Sequence, residues 1–493
     1  MYYIGFDIGS SSIKASIVDA EKKKSIAVAS YPDQEMSMIS KKSGWAEQEP
    51  ENWWEYVCEA SKRVIQKAGI DKDLIKGIGL SYQMHGLVLV DKDQHVLRPS
   101  IIWCDGRAVT YGNESFDRLG RDLCLSTLLN SPGNFTAAKL KWVKENEPEV
   151  FDRIDKMMLP GDFIAMKMTG QISTTISGLS EGIFWDFKQN RISKSLLEDL
   201  GIPESMIPEV NNTFHDSGHL TDHSAQLLGL KPGIPVAYRA GDQPNNALSL
   251  GVFEPGEIAA TGGTSGVVYS VSDELIYDQK SRINGFAHVN HRPDQTRIGS
   301  LLCINGTGIQ YRWLRQQMEP NLAYNEIEHI ANNVPVGSDG VNILPFGNGA
   351  ERVFENREIG SHILNVDFNR HDKSHLFRAG LEGIAFSFVY GVEILKELGA
   401  EVNNIRVGND NLFQSAIFSE TISTLLNCEI EMVETTGATG AALAVGYAMG
   451  NTNSIQEAIG SSSSVHSYQP LTNHEDYLAT YNSWREDLNK FLV

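Results

Sequence analysis

The sequence has few cysteines, no long apolar run and no excess of basic residues. Its five cysteines are scattered along the 493 residues, which is typical of free thiols in a reducing cytoplasm rather than of a disulfide framework. No stretch reaches about 18 uncharged apolar residues, so we expect no membrane-spanning helix. The balance of 42 basic and 62 acidic residues gives a formal net charge of -20, which argues against nucleic acid and anionic membranes as partners. The first residues enter strand-like sequence directly, so we expect no signal peptide and a cytoplasmic location.

The length predicts more than one domain, because 493 residues exceed the size at which one hydrophobic core stops growing. Hydrophobic residues at 41% and charged residues at 21% are ordinary for a globular protein. A turn-rich passage, residues 251–256, lies at the midpoint of the chain. We therefore predict an N-terminal domain over residues 1–251 and a C-terminal domain over 252–493.

The stretch from Tyr2 to Lys14 predicts a hairpin that can bind phosphate. Apolar residues alternate along a first strand and along a second strand that follows a tight turn. Gly9 lets the backbone turn without a side chain in the way, so the turn can present amides and hydroxyls to an anion. The hydroxyl residues of the turn are Ser10, Ser11 and Ser12.

Asp7 lies at the end of the first of these strands. A carboxylate that points at phosphates repels them unless a cation lies between, so Asp7 in this position implies Mg²⁺. The alternative is an ordinary hairpin in which Asp7 belongs to an Asx turn.

Two further segments of the first half carry groups suited to a small polar ligand. A predicted strand is interrupted at residues 83–86, which include Met84 and His85, and polar groups at such an interruption usually line a site. Further on, Trp103 offers a flat face, Asp105 an acceptor and Arg107 several donors, which together could hold a polyol. The alternative for the last two is a surface Asp/Arg pair on a loop.

Asp242 follows the predicted strand 234–238 and precedes a helix whose first turn can contain Pro244. In this position its carboxylate could accept a proton from a hydroxyl nucleophile. Its alternative role is that of a helix N-cap, which is compatible with the first.

The second half begins as the first did, with a strand, a turn of hydroxyl residues and glycines over 261–266, and a returning strand. This second turn, with Gly263 and Thr264, predicts another phosphate hairpin. Gly308 opens a helix whose amides could meet a nucleotide's phosphates. The strand 405–407 runs into Gly408 and Asn409 ahead of another helix, an arrangement that usually seats a nucleoside.

Together these segments describe a cleft between two α/β domains that is arranged for phosphoryl transfer. That reaction needs mainly alignment and charge neutralisation, which Asp7 with a metal and Asp242 as a base would supply. Because water competes as a nucleophile, we also predict that the domains close about a hinge near residues 250–257.

Five motifs in this order resemble the FGGY carbohydrate kinases. They are Asp7–Lys14, Gln83–Gly86, Gly241–Asp242, Thr261–Gly266 and Arg378–Gly383. Residues 136–146, with Lys139, are similar to a further signature of that family. The resemblance implies an α/β fold class: two similar domains of the actin-like ATPase or ribonuclease H-like (sugar kinase) fold around an interdomain cleft.

Within the family, the residues after the fourth strand and around Trp103 are most similar to those of xylulokinases. The resemblance implies transfer of the γ-phosphate of ATP to O5 of D-xylulose. In this reaction Asp242 is the catalytic base and Asp7 is a Mg²⁺ ligand. It implies that Met84 and His85 contact the sugar, with Gln243 beside the base. The resemblance also implies a homodimer, because members of the family tend to form dimers. The residues implied to contact ATP, together with those of the two hairpins, are Ser10, Ser11, Lys14, Gly263, Thr264, Gly308, Gly408 and Asn409.

Two positions differ from the family pattern, and other functions stay open. Gln243 stands where xylulokinases often carry Asn, a feature similar to glycerol kinase, and Asn409 stands where a second glycine is usual.

The alternatives are another FGGY substrate (glycerol, gluconate, ribulose or a deoxyketose), a non-kinase actin-like ATPase, and a sugar-sensing regulator that has lost catalysis.

Overall fold

The computed structural model describes residues 1–460 and 464–492. Its strands are β1 (Tyr2–Ile8), β2 (Ile13–Asp19), β3 (Lys24–Tyr31), β4 (Glu47–Gln48), β5 (Ile75–Tyr82), β6 (Val88–Val90), β7 (Ser100–Ile101), β8 (Lys156–Met158), β9 (Ser173–Thr175), β10 (Trp185–Asp186), β11 (Arg191–Ile192), β12 (Glu209–Asn211), β13 (Val236–Gly241), β14 (Glu257–Gly262), β15 (Gly266–Ser272), β16 (Asn284–Ala287), β17 (Ile298–Ile304), β18 (Asn342–Phe346), β19 (Gly360–Leu364), β20 (Asn404–Gly408), β21 (Ile430–Val433) and β22 (Ser464–Tyr468).

The α-helices alternate with these strands along the chain. They are α1 (Pro50–Ala68), α2 (Val109–Leu119), α3 (Arg121–Leu128), α4 (Thr136–Asn146), α5 (Pro148–Phe151), α6 (Pro160–Thr169), α7 (Ile176–Glu181), α8 (Lys194–Leu200), α9 (Asp222–Leu228), α10 (Asp242–Ser249), α11 (Gly308–Met318), α12 (Tyr324–Ala331), α13 (Lys373–Glu397), α14 (Ala416–Leu426), α15 (Gly437–Ala448), α16 (Ile455–Ile459) and α17 (His474–Asn489).

Each half of the chain contains one large mixed sheet, and the two sheets share a strand order. The first sheet runs β3-β2-β1-β5-β13, with antiparallel pairs β1/β2 and β2/β3 and parallel pairs β1/β5 and β5/β13. The second runs β16-β17-β15-β14-β20-β21-β22, and its central strands repeat that pattern of directions. This repetition confirms the predicted class of two similar α/β domains.

The helix α1 shows how the sequence pattern becomes structure. Pro50 occupies its first turn, and Gly69 ends it in the left-handed conformation at φ 63°. Trp53 and Val57 belong to a fully buried stripe that packs on the first sheet. The sequence predicts a helix that Pro50 starts, Gly69 stops and a stripe with Trp53 and Val57 buries, and the structure confirms all three features.

The structure corrects one helix start and leaves one predicted segment partly undescribed. The sequence predicts a helix over residues 412–426, but a 3₁₀ turn over Asn411–Gln414 comes first and α14 begins at Ala416. Ser415 separates the two because its backbone is extended and its side chain caps the amide of Phe418. The predicted Ser-rich link at 461–464 lies outside the described residues except for Ser464, which begins β22.

The helix α15 follows β21 of the second sheet in the chain but packs on the first sheet. Its small residues allow this, because the two backbones nearly touch. A methyl group at Gly79 of β5 would lie 2.6 Å from the Ala441 carbonyl carbon, and one at Gly5 of β1 would lie 2.5 Å from the Ala442 nitrogen. The division at residue 251 stays a prediction, and α15 joins the two halves across it.

Within residues 1–460 and 464–492, no helix combines the length and the apolar character needed to cross a membrane.

Candidate active site

Asp7 lies where β1 ends and the first hairpin turns. Its Oδ1 accepts a 2.8 Å hydrogen bond from the Ser81 hydroxyl, and Lys14 lies opposite it on β2. Burial raises the pKa of the Asp7 carboxyl, an effect that the Ser81 bond and the Lys14 charge reduce. A methyl group at Gly437 would lie 2.8 Å from Oδ2, so the start of α15 closes over this carboxylate.

Asp242 lies at the same edge of the sheet, directly after β13, which is separated from β1 by β5. Gly241 is the N-cap of α10 and Asp242 is the first helical residue, so the expectation of Asp242 as the N-cap is wrong. Burial, and then the negative charge of Asp7, raise the pKa of Asp242 to about 7. The two carboxylates therefore share one electrostatic environment at the ends of the strands.

Met84 and Glu181 lie directly beside Asp242. A methyl group at the preceding Gly241 would come within 2.6 Å of Met84 Cγ and 3.1 Å of a Glu181 carboxylate oxygen. Glu181 is 2% exposed, and burial raises its pKa well above the ordinary range, with Asp242 adding to the effect. Sequence reasoning missed Glu181 because it ends a short helix and only tertiary packing buries it.

His85 adopts a left-handed backbone at φ 61°, and hydrogen bonds hold both its ring and its backbone carbonyl. Its Nδ1 lies 3.0 Å from the Glu181 carbonyl oxygen, and Lys139 Nζ donates to the His85 carbonyl at 2.7 Å. Burial and the Lys139 charge lower the pKa of His85 to about 3, so the ring is neutral at neutral pH. Since a carbonyl only accepts, Nδ1 carries the proton and Nε2 remains an acceptor.

Trp103 lies near this group, whereas Asp105 and Arg107 are buried inside the first half. Trp103 is 52% exposed, and its ring nitrogen donates to the Ser10 hydroxyl at 3.3 Å. Asp105 and Arg107 bond each other at 2.7 Å, and Arg107 also bonds Glu47 at 2.6 Å.

This placement differs from both readings of the Asp/Arg pair. The pair is buried rather than on the surface, and its polar atoms are occupied by protein groups rather than directed at a polyol. Asp105 also accepts from the Ala46 amide at 2.5 Å, and the Arg107 guanidinium lies 3.8 Å from the centroid of the Trp45 ring. The two side chains thus hold the segment that carries Trp103 in place.

The second hairpin packs against the start of α11. The Gly308 amide donates to the Gly263 carbonyl at 3.1 Å, and the Ile309 amide donates to the Thr264 carbonyl at 3.2 Å. These loops line a cavity of about 370 Å³. Among its lining residues are Gly263, Thr264, Gly308, Arg312, Tyr324 and Leu412.

The other predicted nucleotide residues lie on the hairpin and strand ends. Ser11 is exposed, and its carbonyl accepts from the Met36 amide at 2.9 Å. Gly408 ends β20, and the exposed Asn409 donates to a Glu434 carboxylate oxygen at 2.9 Å. Asn409 thus uses its side chain to join two loops, which a glycine there would not do.

The two halves meet through α10, the helix that begins with Asp242. Asn246 Nδ2 donates to the Thr261 hydroxyl of the second hairpin at 3.3 Å, and Asn245 Nδ2 donates to the Gly437 carbonyl at 2.9 Å. Gln243 lies partly buried in the first turn of the same helix. The helix that begins with Asp242 thereby contacts both the second hairpin and the start of α15.

Comparisons with known proteins agree with this geometry. The model of the FGGY family of carbohydrate kinases, N-terminal domain, matches residues 2–249, and that of the C-terminal domain matches residues 258–449. The chain is 28% identical to a xylulose kinase from Bacillus subtilis, over 92% of this chain and 90% of that one. It is 28% identical to a xylulose kinase from Haemophilus influenzae, over 91% of each chain. The crystal structure of xylulose kinase from Rhodospirillum rubrum superposes with a TM-score of 0.89 at 25% identity, covering 100% of both chains.

Proposed function

Since the chain belongs to the FGGY family of carbohydrate kinases, we propose that it phosphorylates D-xylulose to D-xylulose 5-phosphate. The family assignment makes it an enzyme that transfers a phosphoryl group from ATP to an alcohol group of a sugar. The choice of D-xylulose is supported by the similarity of nearly the whole chain to xylulose kinases.

The observation that carries the proposal is the environment of Asp242. It lies at the start of α10, directly after the glycine that packs against Met84, and its pKa is raised to about 7. A general base works best when its pKa is close to the operating pH. In our proposal Asp242 removes the proton from O5 of the sugar as that oxygen attacks the γ-phosphorus of ATP, and ADP leaves.

The remaining residues orient the two substrates. The unprotonated Nε2 of His85 accepts a hydrogen bond from a sugar hydroxyl, and Met84 packs against the carbon chain. ATP lies in the cavity lined by Thr264 and Gly308, with its phosphates toward the hairpins. Phosphoryl transfer depends on such alignment because little other chemistry is required of the protein.

Asp7 fits the predicted role of a magnesium ligand. Its pKa is raised by burial, its Oδ1 is held by Ser81, and Asp242 supplies a second negative charge nearby. Hard carboxylate oxygens of this kind suit Mg²⁺. When bound, the ion would neutralise charge on the phosphates of ATP.

The Asp7→Asn variant is expected to need more Mg²⁺, because it loses a charged ligand oxygen without changing size. We expect the Mg²⁺ concentration at half-maximal rate to rise about tenfold or more. The Ser81→Ala variant, which removes only the neighbouring hydroxyl, should change it less. Titrating Mg²⁺ at fixed ATP measures both, and an unchanged value for Asp7→Asn would refute the role of Asp7.

A panel of acceptors tests the choice of substrate. ADP release is measured with D-xylulose, D-ribulose, glycerol and D-gluconate under one condition. We expect kcat/KM for D-xylulose to exceed every other value by about tenfold or more, as site-specific hydrogen bonding allows. A higher value for glycerol would point to Gln243, which follows Asp242 as in glycerol kinase. ATP hydrolysis that no sugar changes would instead support a non-kinase ATPase.

A further inference from the structure

Arg352 is a partly buried arginine without a hydrogen-bonded carboxylate partner in the part of the chain that the structure describes. The protein carries a net charge of -20, and its most buried arginines each pair with an acid. Those pairs are Arg98 with Glu47, Arg107 with Asp105, Arg239 with Asp162, and Arg378 with Glu382. Burial lowers the pKa of Arg352, and the charge of nearby Asp278 offsets this effect only in part.

The backbone around Arg352 is fixed to the loop that precedes α11. The carboxylate of Glu351 accepts from the Asn305 amide at 2.9 Å and from the Gly306 amide at 3.1 Å. The Nε of Arg352 donates to the Ser281 carbonyl at 2.8 Å. Asp278, an acid whose charge acts on Arg352, is already bonded to Arg282 at 2.9 Å. Within residues 1–460 and 464–492, the two terminal nitrogens of the guanidinium therefore have no hydrogen-bond acceptor.

The turn that carries Arg352 belongs to the second half and is connected to His85 of the first half through β17 and β16. The 3₁₀ turn Arg352–Phe354 packs on β17, and the neighbouring β16 carries Phe286. The Phe286 ring centroid lies 5.5 Å from that of His85. The charge of Arg352 is also a cause of the low pKa of His85, after burial and Lys139.

We propose that Arg352 binds the acceptor sugar at the end remote from the phosphorylated hydroxyl and selects for a ketose. This inference rests on the proposed sugar kinase function. The reacting hydroxyl lies at Asp242, so His85 and Arg352 face the other end of the carbon chain. There a 2-ketose presents a carbonyl oxygen and an adjacent hydroxyl oxygen, two acceptors that match the parallel N–H groups of a guanidinium. The corresponding alditol has no carbonyl, and its C2 hydroxyl lies out of that plane.

Binding at this position also joins the two halves through the sugar. His85 contacts the ligand from the first half and Arg352 from the second, so the acceptor stabilises the closed cleft only when both contacts form. With an acceptor that lacks the carbonyl, the cleft would close less often. The enzyme would then hydrolyse more ATP for each sugar that it phosphorylates.

The Arg352→Met variant tests the proposal, with Arg352→Lys as the conservative change and Arg370→Met, at an exposed arginine, as the control. We expect KM for D-xylulose to rise about 30-fold, the loss typical of a charged hydrogen bond. The KM for ATP should stay within about twofold, because the nucleotide cavity is untouched. The ratio of kcat/KM for D-xylulose to that for xylitol should fall by a similar factor, and Arg352→Lys should recover only part of it.

Thermal unfolding separates this role from a structural one. If Arg352 binds the ligand, Arg352→Met removes a partly buried charge that has no bonded carboxylate among the described residues, and the Tm of the free enzyme should stay equal or rise. A fall in Tm with an unchanged ratio of ketose to alditol would overturn the proposal. If the wild type prefers another acceptor, a raised KM for that acceptor in Arg352→Met would support Arg352 as a ligand while refuting D-xylulose. An active wild type whose KM is unaffected by Arg352→Met would refute Arg352 alone.

Discussion

The Asp242→Asn variant is expected to lose about 10³-fold in kcat, within the range that a general base contributes. Asparagine has the same shape as aspartate but cannot accept the proton from the attacking hydroxyl. The KM for the sugar should change little, because the amide fills the same space as the carboxylate. Steady-state ADP release with D-xylulose measures both constants. A loss of less than about a hundredfold would show that Asp242 is not the base.

The same variant should be more stable than the wild type above neutral pH. The pKa of Asp242 is raised from 3.8 to about 7, so the folded state holds this proton more tightly than the unfolded state does. The stability that this proton supplies is complete below about pH 4 and is lost as the pH rises through 7. A shift of this size corresponds to at most about 4 kcal/mol, and water in the open cleft reduces it.

Melting curves at acid and alkaline pH check this second effect. The Tm difference between Asp242→Asn and the wild type should be near zero at acid pH and positive above neutrality. Asp222→Asn is the matched control, since Asp222 is also the first residue of its helix but is exposed. A lower Tm for Asp242→Asn at every pH would mean that the carboxylate stabilises the fold rather than straining it.

The sequence predicts the fold and the carboxylate pair because both depend on local pattern. Alternating apolar residues define β1 and β2, and Asp7 and Asp242 each follow a strand whose neighbour is parallel. The carboxyl ends of such strands meet at one edge of a sheet, so the two acids had to come together. Gly69 and Pro50 set the ends of α1 by the same local rules.

The features that the sequence did not predict depend on contacts between distant segments. Glu181 and Arg352 look like ordinary charged residues until packing places Glu181 beside Gly241 and His85 and partly buries Arg352. The prediction for Asp105 and Arg107 failed in the opposite direction. Their side chains suit a polyol, but in the fold they bond to protein groups. A lone charged side chain in a sequence does not reveal whether its partner is a ligand or another part of the chain.

The contact between α10 and α15 controls the position of the base, and Gly440→Ala is expected to disturb it strongly. A methyl group at Gly440 would lie 2.6 Å from Ser249 Cβ and 2.9 Å from Ser249 Cα. Ser249 is the last residue of α10, and its hydroxyl donates to the Asn245 carbonyl at 2.8 Å. Because backbone must move, the free energy of unfolding should fall by about 1–3 kcal/mol. The shift of α10 should also lower kcat, since Asp242 is its first residue.

Gly446→Ala on the same helix is the control, and it is expected to change the free energy of unfolding in the opposite direction. The nearest atom to a methyl group there would be Tyr3 Cε2 at 3.5 Å, which is an ordinary contact. Alanine in a helix interior is favoured over glycine by about 0.5–1 kcal/mol, so this variant should be slightly more stable and fully active. Chemical unfolding and kcat are measured for both variants. Equal effects at the two positions would mean that helix propensity, rather than the fit of α10 against α15, decides how this helix tolerates substitution and holds Asp242.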